Sequence, residues 1–456
     1  MTAAAGRGAT PPLWLRTPLA ILAEGEAGGG VVVADGRIAE LVPRGAKPRT
    51  IGCAAFDASA HVVLPGLINT HHHFYQTLTR ACPPALDKPL FPWLVALYPI
   101  WARLGPEDLR LAARVALAEL LLSGTTTTSD HHYLFAAGLE QAIDVEIEEA
   151  RALGVRLVAT RGSMSLGTDD GGLPPMGVVQ REETILADCE RLIGRYHECH
   201  EGAMVQVALA PCSPFSVTER LMADTAAMAA RHRVRLHTHL AETQDEEAWC
   251  RDRFGCRPVD YLERVGWLDG RTWLAHGVWF DDSEIARLGR AGVAVSHCPT
   301  SNMILASGCC RVTALEAAGA AVGLGVDGSA SNDSSNLIET VRHAFLLQRL
   351  VHGAERVSHR DAMRWATEGS AACLGRPELG RIAPGCQADL ALFRLDELRY
   401  SGAGDPLAAL VLCGASRADR VMVAGRWVVE DGTIPGLDLA GLRAAHQAAA
   451  ARLLRR

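Results

Sequence analysis

The chain has 456 residues, beyond the ~250–300 at which a single hydrophobic core stops growing, so more than one structural unit is expected. Hydrophobic content of 48% with 44 glycines excludes a disordered or fibrous chain. A net charge of −7, with acidic and basic residues interspersed, gives no footprint for a nucleic-acid polymer, and no apolar run reaches the ~18 residues of a membrane-spanning helix.

Residues 1–20, broken by prolines and without a charged-then-apolar-then-cleavage pattern, read as the start of a chain that is not exported. Residues 31–42 read as strand, Asp-Gly turn, strand. Next, an apolar strand at 62–69 runs into His71-His72-His73. Alternation along an extended chain puts His71 and His73 on one side, where two imidazoles can chelate one divalent metal. Taken alone, such a cluster reads equally well as a solvated loop.

Further short apolar strands are expected at 125–129, 156–163, 204–210, 235–240, 272–275, 294–297 and 321–325, with helices such as 106–122, 139–153, 182–196 and 218–232 between them. Eight strand–helix units imply parallel strands closed into a (β/α)8 TIM barrel of the α/β class. A doubly wound open sheet competes, but it has no GxGxxG fingerprint here and leaves polar residues at so many strand ends unexplained. A strand at 385–393 and a hairpin at 420–432 echo the first hairpin. The expected organisation is a β-sandwich built from residues 1–65 and 378–456, the latter ending in a helix, around a barrel at 66–377.

Catalytic groups of such barrels gather at the carboxyl ends of the strands. Reading those ends in order gives His71 and His73, then His237-Thr238-His239-Leu240-Ala241-Glu242, then Ala275-His276-Gly277, then Ser296-His297-Cys298-Pro299-Thr300-Ser301-Asn302, and finally Gly325-Val326-Asp327-Gly328. Five motifs in this order resemble the amidohydrolase superfamily, in its nucleobase-deaminase and chlorohydrolase branch, over nearly the whole chain.

The resemblance implies His71, His73, His239 and Asp327 as metal ligands, a set that suits one Zn²⁺ per subunit; Fe²⁺ or Mn²⁺ is compatible with the same donors. It also implies Glu242, His276 and Asp327 as catalytic groups: His276 takes a proton from water, Asp327 orients the nucleophile and Glu242 protonates a ring nitrogen. Two-metal members commonly use a carboxylated lysine as a bridge. Lys47 and Lys88 are the only lysines, so that bridge cannot form on a later barrel strand, and a single metal is expected.

His237, on the same strand face as His239, reads as a packed or supporting residue rather than as a ligand, and His297 as a supporting residue or a substrate contact. His131-His132 read equally as a solvated loop or as substrate contacts. The other zinc-deaminase signature fails, because Pro211-Cys212 has no second cysteine three positions on. Thirteen cysteines without a CxxC pair read as reduced thiols of a cytoplasmic protein.

Two stretches narrow the substrate. Residues 73–83, continuing to Trp93 and Trp101, and residues 161–167, continuing to 175, resemble the bacterial 8-oxoguanine deaminases. The resemblance implies hydrolysis of 8-oxoguanine to urate and ammonia, with guanine, isocytosine, a pterin, hydroxyatrazine or another s-triazine as alternatives. Gln76, Ser163 and Trp101 are the candidate substrate contacts, with Arg80, Tyr75 and Trp93 nearby. The expected partner is a small nucleobase, with neither polymer nor membrane, and the resemblance favours a homo-oligomer. A metal-free barrel kept as an assembly scaffold is the reading from another class; the presence of all four ligands and both proton carriers argues against it.

Overall fold

The computed structural model describes residues 11–455; residues 1–10 and Arg456, assigned above to the terminal units and to the leader reading, lie outside it. Eight consecutive parallel strands close into a barrel: β7 (Leu67–Asn69), β8 (Thr125–His132), β9 (Arg156–Ser163), β10 (Val205–Pro211), β11 (Leu236–Leu240), β12 (Thr272–His276), β13 (Ala294–His297) and β14 (Val322–Leu324). Leu324 pairs with Asn69 to complete the ring.

Alternation sorts the side chains. On β9 and β10, Leu157, Ala159, Val207 and Leu209 join the large core under the helices, whereas Val158 and Ala208 join Ile68, Trp273 and Ala294 in a separate inner cluster with Ala371, Cys373, Leu374 and Leu379. After β7, α1 (Leu90–Trp101) lies over the barrel mouth, and the helices that cover the outside include α2 (Pro106–Leu122), α3 (Ala142–Leu153), α4 (Glu182–Tyr196) and α5 (Glu219–His232).

The remaining strands form two sheets. One has the order β4-β3-β1-β5, from β1 (Leu13–Arg16), β3 (Gly30–Ala34), β4 (Arg37–Val42) and β5 (Ala54–Asp57). The other runs β17-β16-β15-β6-β2, from β2 (Ala20–Ile21), β6 (His61–Pro65), β15 (Leu390–Arg394), β16 (Arg420–Val423) and β17 (Arg426–Val429). Leu15, Val31, Val33 and Ile38 of the first pack on Val63, Leu390, Leu392 and Met422 of the second, which makes a sandwich.

The run at 62–69, expected as one barrel strand, is two. β6 pairs antiparallel with β15 in the sandwich, and the chain crosses at Gly66 to enter the barrel as β7. A side chain at Gly66 would sit 2.2 Å from Thr126 Oγ1, so glycine permits the crossing. A fully buried Arg156 at the start of β9 donates to both carboxylate oxygens of Asp389 (2.7 and 3.0 Å) and fastens the barrel to the sandwich. The C-terminal helix Leu439–Arg455 packs against α2 and the 3-10 turn Phe74–Thr79 that follows β7.

Candidate metal centre and active site

Asn69 ends β7, and His71, His72 and His73 leave the strand into the barrel mouth, all of them buried. Each proposed ligand ring has one nitrogen committed elsewhere. His73 Nδ1 donates to the carbonyl of His131 (2.7 Å), and His239 Nδ1 donates to the carbonyl of Cys212 (2.6 Å). His71 Nδ1 meets His237 Nε2 at 2.8 Å. His237 Nδ1 donates to the Trp273 carbonyl (2.9 Å), so its Nε2 is an acceptor and His71 is the donor.

Every ring therefore turns a bare Nε2 inward. His73 Nε2 lies 3.2 Å from His239 Nε2, and Asp327 Oδ1 lies 3.3 Å from His71 Nε2 and 3.2 Å from His73 Nε2. Burial lowers His71 well below the ordinary imidazole value and takes His239 to about 3, so both rings are neutral. Lone pairs of neutral imidazoles facing one another and a carboxylate repel, and no proton of their own remains to place between them. A divalent cation at their centre resolves the conflict, and three imidazoles with one carboxylate fit it.

Asp327 sits just past β14 with φ 63°, and its backbone N–H donates to the His71 carbonyl (3.1 Å). Gly328 N–H donates to Oδ1 (2.7 Å) and Ser331 Oγ to Oδ2 (3.3 Å), which fixes the carboxylate plane. His276, at the end of β12 with φ 71°, places Nε2 3.4 Å from Glu242 Oε2 and 4.0 Å from Asp327 Oδ2. Burial pushes Glu242 well above the usual carboxylate range, and the Asp327 charge adds to the effect, so Glu242 keeps a proton beside a group able to take one.

A cavity with about 430 Å³ of empty volume opens beside these groups. His73, His239, Glu242, His276 and Asp327 form its floor. Trp93, Leu94 and Tyr98 of α1, with Tyr133 and Phe215, supply apolar and aromatic walls, and Gln76, Ser331 and Cys212 supply polar atoms. Among the described residues no lysine or arginine lines it. Gln76 Oε1 accepts from the Ala330 N–H (3.3 Å), which holds its amide at the cavity wall.

Two expected substrate contacts lie elsewhere. Trp101 is buried behind the wall, stacked edge-on against Tyr75, Trp93 and Tyr98, and donates from its indole to Thr79 Oγ1 (3.1 Å). Ser163 ends β9 but does not reach the cavity; its carbonyl accepts from Cys212 N–H. Tyr75 and Arg80 also stand off the cavity, and Arg80 pairs with Glu119 of α2.

His131 and His132 are fully buried at the end of β8, which excludes a solvated loop. His131 stacks on His239 (4.7 Å between ring centres, 19°), and its carbonyl holds His73. His237 supports His71 and stacks flat on Trp273 at 4.3 Å. Glu246, missed in the sequence, accepts from the backbone N–H groups of Ala241 and Glu242 (both 3.0 Å), and burial pushes it up to about 7. Its only signal was a carboxylate four residues past Glu242 at a helix start.

This barrel, with histidines and an aspartate gathered at its mouth, is the architecture of a hydrolase family. Residues 62–428 match the model of the amidohydrolase family, and the chain belongs to that family. It is 64% identical to the 8-oxoguanine deaminase of Pseudomonas aeruginosa over 97% of this chain and 99% of that one. It is 37% identical to the hydroxydechloroatrazine ethylaminohydrolase of Pseudomonas sp. strain ADP, over 90% of this chain and 88% of the relative. Among solved structures, atrazine chlorohydrolase from Arthrobacter aurescens TC1 complexed with zinc superposes with a TM-score of 0.90 at 34% identity, covering 96% of this chain and 100% of that one.

Proposed function

We propose that this protein is a Zn²⁺-dependent deaminase that converts 8-oxoguanine and water to urate and ammonia. The observation that carries the substrate is the end-to-end likeness to the Pseudomonas aeruginosa enzyme. The cavity supports it: aromatic walls suit a planar ring, and the lack of a cationic side chain favours a free base over a phosphorylated one.

His71, His73, His239 and Asp327 would hold the cation, with zinc favoured by the imidazole-rich donor set. When bound, it makes water a nucleophile at neutral pH by lowering its pKa from ~15.7 towards ~7. His276 Nε2 takes the proton of the attacking water, while Asp327, fixed by Gly328 and Ser331, orients it. Glu242 gives its proton to the ring nitrogen beside the amine-bearing carbon. The carbon–nitrogen bond then breaks: the proton on His276 leaves with the amine as ammonia, and the proton of the new hydroxyl returns to Glu242 as the carbonyl forms. Gln76 donates to the bound ring from the wall.

The barrel at 66–377 carries every one of these groups, and the segments 1–65 and 378–456 serve as its support. Thirteen free cysteines, and no helix among the described residues long and apolar enough to cross a membrane, support a cytoplasmic setting. Exposed Leu346, Leu350 and Val351 beside Met303 and Ile304 support a homo-oligomer.

The test is ammonia release across 8-oxoguanine, guanine, isocytosine, isoxanthopterin and hydroxyatrazine. 8-Oxoguanine is expected to give the highest kcat/KM, and a higher value for any other ring overturns the assignment.

A further inference from the structure

A neutral imidazole has one proton and two places for it. His276 can accept from water only if that proton sits on Nδ1. The carboxylate near its other nitrogen pulls the opposite way: Asp327 Oδ2 at 4.0 Å would accept from an Nε2–H, whereas Glu242, which keeps its proton, can donate to a bare Nε2 from 3.4 Å. A single group faces Nδ1, the Oδ1 atom of Asn302 at 3.0 Å. We propose that Asn302 is the positioning residue that sets the tautomer of the general base, its amide oxygen accepting from His276 Nδ1–H and so keeping the Nε2 lone pair on the water side.

Asn302 is built for that contact. It is 1% exposed, so no water replaces it. Its short helix, Pro299–Ile304, pins it at both backbone groups: its N–H donates to the Cys298 carbonyl (3.1 Å), and its carbonyl accepts from Ser307 N–H (2.9 Å). Its side-chain nitrogen has no partner. A buried amide that leaves its donor unmet while its acceptor is engaged is one whose oxygen matters. His276 sits at the strand end with φ 71°, its ring in a flat stack on His239 (5.5 Å) and an edge contact with His71 (5.6 Å), neither of which chooses between its two nitrogens.

The inference rests on His276 being the base of the proposed reaction, and its test separates the two. Asn302→Leu, Asn302→Ala and Asn302→Asp are purified as holoenzymes and assayed on 8-oxoguanine, with metal content and thermal midpoint measured on each. The leucine and alanine variants are expected to lose about 100-fold in kcat at unchanged KM and metal content, and the aspartate variant to recover to within about tenfold of the parent, because a carboxylate still accepts from Nδ1–H. Turnover within about threefold of the parent for Asn302→Ala, or an aspartate variant as slow as the alanine one, overturns the proposal. So does a loss carried by KM or by metal content. If the leucine variant does not fold, the other two decide. His276→Ala at parental turnover would instead overturn the deaminase reading.

Discussion

Two buried clusters of histidine and carboxylate lie a few residues apart in this barrel, and they solve the same electrostatic problem differently. At the mouth, His71, His73, His239 and Asp327 converge beside the cavity. On the outer side of the barrel wall, Asp130 and His132 of β8 meet Glu146 of α3, all fully buried and none on the cavity. In this outer cluster the missing donors can be supplied from within. His132 Nε2 donates to the Leu134 carbonyl (2.8 Å), leaving a bare Nδ1 2.9 Å from Glu146 Oε1. Burial pushes Glu146 up to about 8 and pulls His132 down to about 4, so the proton stays on the carboxyl, which can donate to the ring. Burial, with Glu146 beside it, also drives Asp130 well above the usual range. The cluster at the mouth has no such reserve, because the imidazole protons are spent on carbonyls and on His237. Residue types alone do not separate a metal centre from a buried proton-sharing triad; where the protons already are does.

Breaking each cluster should therefore have unequal consequences. Asp327→Asn removes the charge at the mouth and the orientation of the water, and a loss of about 10³–10⁴-fold in kcat is expected in the ammonia assay. His237→Ala takes the acceptor from His71 Nδ1, so metal affinity should fall about 10–100-fold in competition with a chelator while the fold survives. Glu146→Gln should leave turnover within a few-fold, since the triad touches no reacting atom.

Glu146→Gln should, however, change how stability depends on pH. A carboxyl raised from 4.5 to about 8 in the folded chain favours folding while protonated, and that contribution is lost as pH rises from the unfolded towards the folded value. A histidine lowered from 6.5 to about 4 acts with the opposite sign below 6.5, so the two oppose each other there. Between 6.5 and about 8 only the Glu146 effect remains. Denaturant midpoints of the parent should fall with rising pH across that window relative to Glu146→Gln, and parallel curves would contradict the triad's proton assignment.

Most of the barrel was legible because buried parallel strands read as apolar runs, and because its mouth concentrates chemistry at strand ends. β8 shows the limit of that signal: Thr125-Thr126-Thr127-Thr128-Ser129-Asp130-His131-His132 is polar throughout, yet every residue is buried. Its length and its two histidines were therefore underestimated. The switch at Gly66 was hidden for the opposite reason, since sandwich and barrel both demand apolar residues on either side of the crossing. His71, His73, His239, Glu242, His276 and Asp327 could be named because they stand in motifs. His237's partner could not, because its hydrogen bond comes from across the barrel. Trp101 and Trp93 are indistinguishable as letters near one loop; only the turn of α1 puts one on the cavity and the other behind it.

The most direct test is the metal content of the purified chain, measured by elemental mass spectrometry alongside the paired substitution His71→Ala/His73→Ala. One zinc per chain in the parent, and almost none in the paired variant at an unchanged far-ultraviolet spectrum, is the expected result. Two metals per chain, or equal metal in parent and variant, would contradict it.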